Sequence, residues 1–231
     1  MQKLELNEIA PYKKFYGRNT EQMPLLVKDG RVPMSTAGLM DRRLEVRDDK
    51  FSNEVRSEWH DNYFDTGDGI LYHPDGKIKV VPDAQVLREI DSKSKLSNGA
   101  LVLEAGAYEA MQGAEFTKED LKRIIKDSLT RDEAKSNPFW KVLARDQDRL
   151  NAYVDFVFDE TLRRFSYDKN MGIYVATAQK EPTARRLFVD GLEDRSVAGG
   201  GLSLHYSVGC LVGVAPEARG AKKQATLEQR V

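Results

Sequence analysis

Two histidines and four carboxylates lie within sixteen residues in the first third of the chain: Glu58, His60, Asp61, Asp65, Asp68 and His73. Imidazole plus carboxylate suits zinc, manganese or iron, and a coordination position left open can activate water. His60, Asp61, Asp65 and His73 are therefore the candidate ligands for a divalent metal, and metal-dependent hydrolysis is the reaction class they would serve. The spacing matches no HExxH helix, paired-cysteine site or EF-hand loop, so this reading rests on ligand chemistry alone. The turn formers Thr66-Gly67-Asp68-Gly69 predict a turn in their midst.

A second set is cationic. Arg163, Arg164, Arg185 and Arg186, with Tyr167, Tyr174 and Phe188 between them, could gather on one face over residues 163–188 and bind single-stranded nucleic acid or an acidic protein. The interspersed Asp159, Glu160 and Asp168 describe the alternative, a solvated, salt-bridged face. Lys13-Lys14-Phe15-Tyr16-Gly17-Arg18 repeats the basic-aromatic theme, but with a neutral total charge it reads better as a surface arm whose aromatics cover a core edge. Ser203, His205 and Ser207 share one parity of an alternating segment. Side chains two apart on a strand stand about 7 Å from each other, too far for a serine–histidine hydrogen bond. Gly199-Gly200-Gly201 leads toward a strand rather than a helix, which predicts a flexible loop rather than a phosphate cradle.

Tyr63-Phe64-Asp65-Thr66-Gly67 resembles the active-site motif of aspartic proteases. The resemblance covers five residues and implies that Asp65 shares a proton with a second aspartate. Asp68 stands where the family has a small residue, and with no second Asp-Thr-Gly in the chain only a homodimer could complete the pair.

The elements that must position these groups are strongest in the middle of the chain. Thr117, Thr130 and Asn137 read as N-caps, with acids in the first turn behind the threonines and Pro138 at N1 behind the asparagine. Asp148 to Phe165 carries one broad apolar stripe and predicts the longest helix, with Phe156 outside the stripe and facing a second surface. Before this block, Pro24–Pro33 reads as a hairpin around Asp29-Gly30, and residues 70–81 as a second hairpin around Pro74-Asp75-Gly76. A helix is expected from Pro82 to Lys95, then a strand at 100–103. After the block, strands are expected at 171–177, 185–190 and, from the unbroken alternation of apolar residues, 202–214.

The fold class that follows is α+β: antiparallel hairpins and a C-terminal three-stranded meander, covered by a central layer of three to four helices. A soft boundary falls near Gly113, dividing a β-rich part (1–113) from helices plus sheet (114–231), with a frayed tail at 217–231. Thirty-six basic residues against 37 acidic ones leave a net charge of −1, so no bulk field attracts nucleic acid or membrane. The single Cys210 excludes an intramolecular disulfide and fits a reducing compartment. The opening Met1-Gln2-Lys3-Leu4-Glu5 has no apolar stretch of the secretory kind, and no run reaches the roughly 18–20 apolar residues of a spanning helix. The expectation is a soluble, cytoplasmic binding or assembly protein with a protein partner or a second copy of itself. The metal-dependent hydrolase and the nucleic-acid binder are its alternatives.

Overall fold

The computed structural model describes residues 11–48, 50–207 and 209–216. The chain opens with strand β1 (Tyr12–Tyr16), followed by helix α1 (Asn19–Lys28), the short β2 (Val32–Pro33), α2 (Thr36–Glu45) and α3 (Asn53–His60). Ser35 and Ser52 cap α2 and α3 by accepting from the backbone N–H groups of Gly38 and Val55. The hairpin expected over 24–33 is instead α1 and its exit. Met23 and Leu26, three apart, are fully buried while Leu25 and Val27 are about half exposed, which is helical periodicity. Asp29-Gly30 does turn the chain, but as the helix terminus, with Gly30 at φ 71°.

Next comes β3 (Phe64–Tyr72), then β4 (Ile78–Val81), joined through Pro74-Asp75-Gly76 as the sequence predicts, with Tyr72 opposite Ile78. The turn expected at Thr66–Gly69 is not there; those residues lie inside β3, and all nine residues of the strand are buried. The expected 82–95 helix shrinks to one 3-10 turn at Gln85–Leu87. Asp83 takes a positive φ of 53° and the Ala84 N–H is given to the carbonyl of Gly67, so the backbone is committed to the sheet. Three short strands, β5 (Leu96–Ser97), β6 (Ala100–Val102) and β7 (Ala114–Phe116), surround the single-turn α4 (Ala107–Ala110).

The helical block forms as its caps dictate. Thr117 and Thr130 close reciprocal capping boxes with Asp120 and Glu133 at the starts of α5 (Lys118–Ile124) and α6 (Arg131–Ser136). Asn137 caps α7 (Pro138–Ala144), and Asp146 caps the long α8 (Gln147–Phe165). Phe156 meets its second surface at His60, with ring centroids 4.9 Å apart. The strands that follow are β8 (Ile173–Tyr174), β9 (Thr183–Val189), β10 (Ala198–Gly199) and β11 (Cys210–Val214).

These last strands do not form a meander. The sheet runs β1-β11-β3-β9-β10-β8, so β11 crosses to the far side and lies between β1, antiparallel, and β3, parallel; β8 and β10 are also parallel. Strands from both sides of Gly113 alternate in this one sheet, and β3 pairs with β9 over most of its length. One core lies on each face. Ile70, Tyr72, Cys210 and Val212 point to the larger, with Trp59, Trp140 and the apolar stripe of α8. Leu71 and Leu211 point to the smaller, with Met23, Leu26, Leu87, Tyr108 and Leu204. Burial on both faces explains why β3 and β11 carry so little exposed surface. Among the described residues, no helix is long and apolar enough to cross a membrane. The 217–231 tail lies outside the described residues.

Candidate functional site

The expected metal ligands are placed apart. His60 ends α3, Asp61 caps it, Asp65 is the second residue of β3, and His73 follows that strand at its other end. Eight positions of extended chain put Asp65 and His73 roughly 25 Å apart. Each group already has company. His60 shares a 3.0 Å hydrogen bond through Nε2 with the carbonyl of Arg43. Asp61 is met by the Ser57 hydroxyl at 2.7 Å and the Arg164 guanidinium at 2.7 Å. His73 stands 2.8 Å from Asp75. Among the described residues, no group of three or more His, Cys, Asp or Glu side chains is arranged to hold a metal ion.

Asp65 is buried in the sheet rather than on a catalytic loop. It accepts from Asn19 Nδ2 at 3.3 Å and lies close to the backbone of Gly209 and Cys210. Burial pushes its carboxyl up to about 6, and the nearby Arg186 opposes that rise. The neighbouring Thr66 hydroxyl donates to the carbonyl of Leu187, and Asp68 accepts from backbone and arginine. The motif that resembles the protease signature is therefore a stretch of central strand whose polar groups tie the fold together.

The four arginines also separate. Arg185 and Arg186 are 6% and 2% exposed, so they offer no cationic surface. Arg186 donates to the carbonyls of Thr66 and Leu87. Arg185 has a different use. Its Nη1 donates to the carbonyls of Gly201 and Leu202, at 3.2 and 3.0 Å, and its Nη2 to that of Asn98. One guanidinium thus ties the segment after β10 to the β5–β6 hairpin. Arg163 and Arg164 remain near the surface on the last turn of α8, paired with Glu160 and Asp61.

The segment that Arg185 holds, residues 200–207, stands where the first part of the strand expected at 202–214 would lie; the second part forms as β11, Cys210–Val214. Its alternation is real, but only Leu204 is sunk into the smaller core, and His205, Tyr206 and Ser207 are exposed. The Leu204 N–H donates to the carbonyl of Gly99, Tyr72 Oη donates to that of Gly200, and the Gly200 N–H donates to that of Tyr174. The glycine run is packed, not loose. A Cβ on Gly200 would come 2.5 Å from Ile70 Cδ1 and 2.7 Å from Tyr72 Oη, and one on Gly201 would strike the Tyr174 ring.

Tyrosines edge this ordered loop. Tyr174, 57% exposed, stands beside Gly201 at its start. Tyr206, 45% exposed, lies near the half-buried Tyr63, whose phenol is pushed up by burial and then by Asp65. Tyr16, 53% exposed, ends β1 opposite Cys210, and the next residue's N–H, that of Gly17, bonds the carbonyl of Gly209 where the loop ends. The arrangement presents large amphipathic side chains beside backbone that is hydrogen-bonded from below. Sequence reasoning found Ser203, His205 and Ser207 but treated them as strand. Three glycines and two serines within ten residues between two strands were the available signal.

No family model matches the chain, and no curated protein matches it. Among solved structures, one described as "Accommodation of massive sequence variation in Nanoarchaeota by the C-type lectin fold" superposes with a TM-score of 0.64. That likeness covers 91% of this chain and all of the other, at 16% identity. At that identity it speaks to architecture alone: the chain has an α+β fold similar to the C-type lectin fold.

Proposed function

We propose that this is a binding protein whose recognition surface is the loop 200–207 with its border of Tyr16, Tyr63, Tyr174 and Tyr206. The observation that carries the reading is a tyrosine-edged loop held rigid by Arg185, Leu204 and the packed glycines. Tyr supplies contact area at small entropic cost, and Ser and Gly supply adaptable hydrogen bonding. That is the composition of loops built to recognise other surfaces. The C-type lectin fold supports the reading, because a scaffold said to accommodate massive sequence variation in a Nanoarchaeota protein is one whose surface can change without loss of the core. The partner we infer is a protein surface, with a second copy of this chain as the simplest case. The buried thiol of Cys210 fits the reducing, cytoplasmic setting expected from the sequence.

The experiment is affinity capture of partners by the purified protein, together with sedimentation of the protein alone, for wild type and for a Tyr174→Ser/Tyr206→Ser double variant. Both side chains are about half exposed, so the variant should fold with a stability change within about 0.5 kcal/mol. Loss of the captured partner or of self-association supports the reading. Capture and sedimentation unchanged by the double variant would rule this surface out.

A further inference from the structure

The β5–β6 hairpin, on which that loop is seated, closes through Asn98-Gly99. Both residues take a positive φ, 47° and 74°, between the paired Ser97 and Ala100. That is the backbone of the two-residue turn for which Asn-Gly is a preferred sequence. Three ties to the loop meet here. The Asn98 carbonyl accepts from Arg185 Nη2 at 2.5 Å, and the same guanidinium holds the carbonyls of Gly201 and Leu202. The Gly99 carbonyl accepts from the Leu204 N–H at 2.8 Å. Ser203 packs so closely on Gly99 that a Cβ there would strike its hydroxyl.

The same turn holds the side-chain amide best placed to react with its own backbone. Of the asparagines in the chain, only Asn98 is followed by glycine, which has no side chain to shield its nitrogen. Among the described residues, none accepts a hydrogen bond from the Gly99 N–H. Asn98 is exposed, and its Nδ2 donates to Gln179 Oε1 at 2.6 Å. By contrast Asn19, Asn137 and Asn170 are buried, and Asn137 precedes a proline, which has no N–H to lose.

We propose that Asn98 is a site of spontaneous deamidation whose isoaspartyl product unseats the loop 200–207. The nitrogen of Gly99 attacks Cγ of Asn98. The N–Cγ bond forms, the Cγ–Nδ2 bond breaks, and ammonia leaves with the Gly99 proton; nothing is oxidised or reduced. Water then opens the resulting succinimide at one of its two carbonyl carbons, giving aspartate or isoaspartate. Aspartate keeps the main chain as it was and sets a carboxylate against Gln179. Isoaspartate carries the main chain through the former side chain and lengthens it by one methylene. A turn whose length fixes the hairpin register then no longer spans Ser97 to Ala100. The Gly99 carbonyl leaves the Leu204 N–H, and the carbonyl that Arg185 held becomes a free carboxylate beside the chain. The effect on partner binding rests on the reading of loop 200–207 as the recognition surface; the chemistry and the loosening of the loop do not.

The test is to age the full-length chain in warm, mildly alkaline buffer and to map its peptides by mass. Wild type is compared with Asn98→Gly, which keeps a positive φ without strain and has no amide to lose. The peptide that contains residue 98 should gain one mass unit faster than that of any other asparagine, and should become a substrate for isoaspartyl methyltransferase. Hydrogen exchange of the loop amides should quicken at least tenfold in the isoaspartyl fraction, with partner capture falling in step. Aged Asn98→Gly should show neither change. An Asn98 that outlasts the other asparagines overturns the proposal, as does an isoaspartyl fraction whose loop exchanges like that of fresh protein. A quickened loop with capture unchanged supports the deamidation site and removes the loop as the recognition surface, so the two failures are told apart.

Discussion

The side chain of Asp68 offers the sharpest check on how this fold is held. It is fully buried in β3, and three donors converge on its two oxygens. The Thr36 N–H reaches Oδ2 at 2.8 Å, while the Asp83 N–H and Arg145 Nη2 reach Oδ1 at 2.9 and 2.7 Å. One carboxylate thus fixes the start of α2, the bend after β4 and the residue that ends α7. Asp68→Asn keeps the shape and replaces one acceptor with a donor. If the new amide faces Thr36, one backbone N–H is left buried and unpaired; if it faces the other way, two donors lose their acceptor. An orphaned buried donor costs about 1–3 kcal/mol, and the lost charge removes the stronger half of the bond to Arg145. The expected loss is therefore about 2–4 kcal/mol, or a fall in melting temperature on the order of 10 °C for a chain of this size. Urea unfolding of Asp68→Asn, Arg145→Met and the double variant would measure it. A coupling energy above about 1 kcal/mol between the two positions is expected, because they share one contact. A single-variant loss below about 1 kcal/mol, or additive losses, would refute the idea that Asp68 joins these segments.

Two further outcomes follow from buried groups. Asp65 has a folded-state pKa of about 6 against an ordinary 3.8, so the folded chain holds the proton more tightly than the unfolded chain does. That contribution to stability is complete below pH 4 and is lost as pH rises through 6. Its full size is about 3 kcal/mol at 1.4 kcal/mol per unit. The stability of wild type minus that of Asp65→Asn should fall by this order between pH 4 and 7, and a flat difference in paired urea titrations would contradict it. Gly200→Ala places a methyl against the buried Ile70 and Tyr72, and should cost about 1–3 kcal/mol. Hydrogen exchange in the loop should quicken in that variant, whereas a freely flexible loop would show no change on either measure.

What the sequence disclosed and what it hid divide by the range of the interactions. The caps of α5, α6 and α7 are written within three or four residues, so Thr117, Thr130 and Asn137 are readable directly. The 70–81 hairpin is as local as its Pro-Asp-Gly turn. β3 is not local. Asp65, Thr66, Gly67, Asp68 and Gly69 look like a polar turn because the groups that satisfy them, Asn19, Leu187, Thr36 and Arg145, lie 32 to 121 positions away. Asp29-Gly30 misleads for another reason: the same pair ends a helix as readily as it turns a hairpin. Of the candidate site residues, His60, Arg163 and Arg164 do share one cleft, although they were assigned to separate chemistries. Arg185 and Arg186 could not be told from surface arginines, because alternation along β9 does not reveal that both of its faces are covered.

The pairing of β1 with β11 has a consequence for how the chain is made. From Tyr12 to Val214, 202 positions separate the first pair of residues in that ladder. At about 5–20 residues per second, β1 waits some 10–40 seconds on the ribosome before its partner exists. During that wait it is an unpaired strand of aromatic residues, the kind of edge that recruits the wrong neighbour. Lys13 and Lys14, in the middle of Tyr-Lys-Lys-Phe-Tyr, supply the charge that discourages such pairing. In the finished fold Lys14 is buried against Glu58 and Lys13 meets Asp29, so the guard becomes part of the structure it protected.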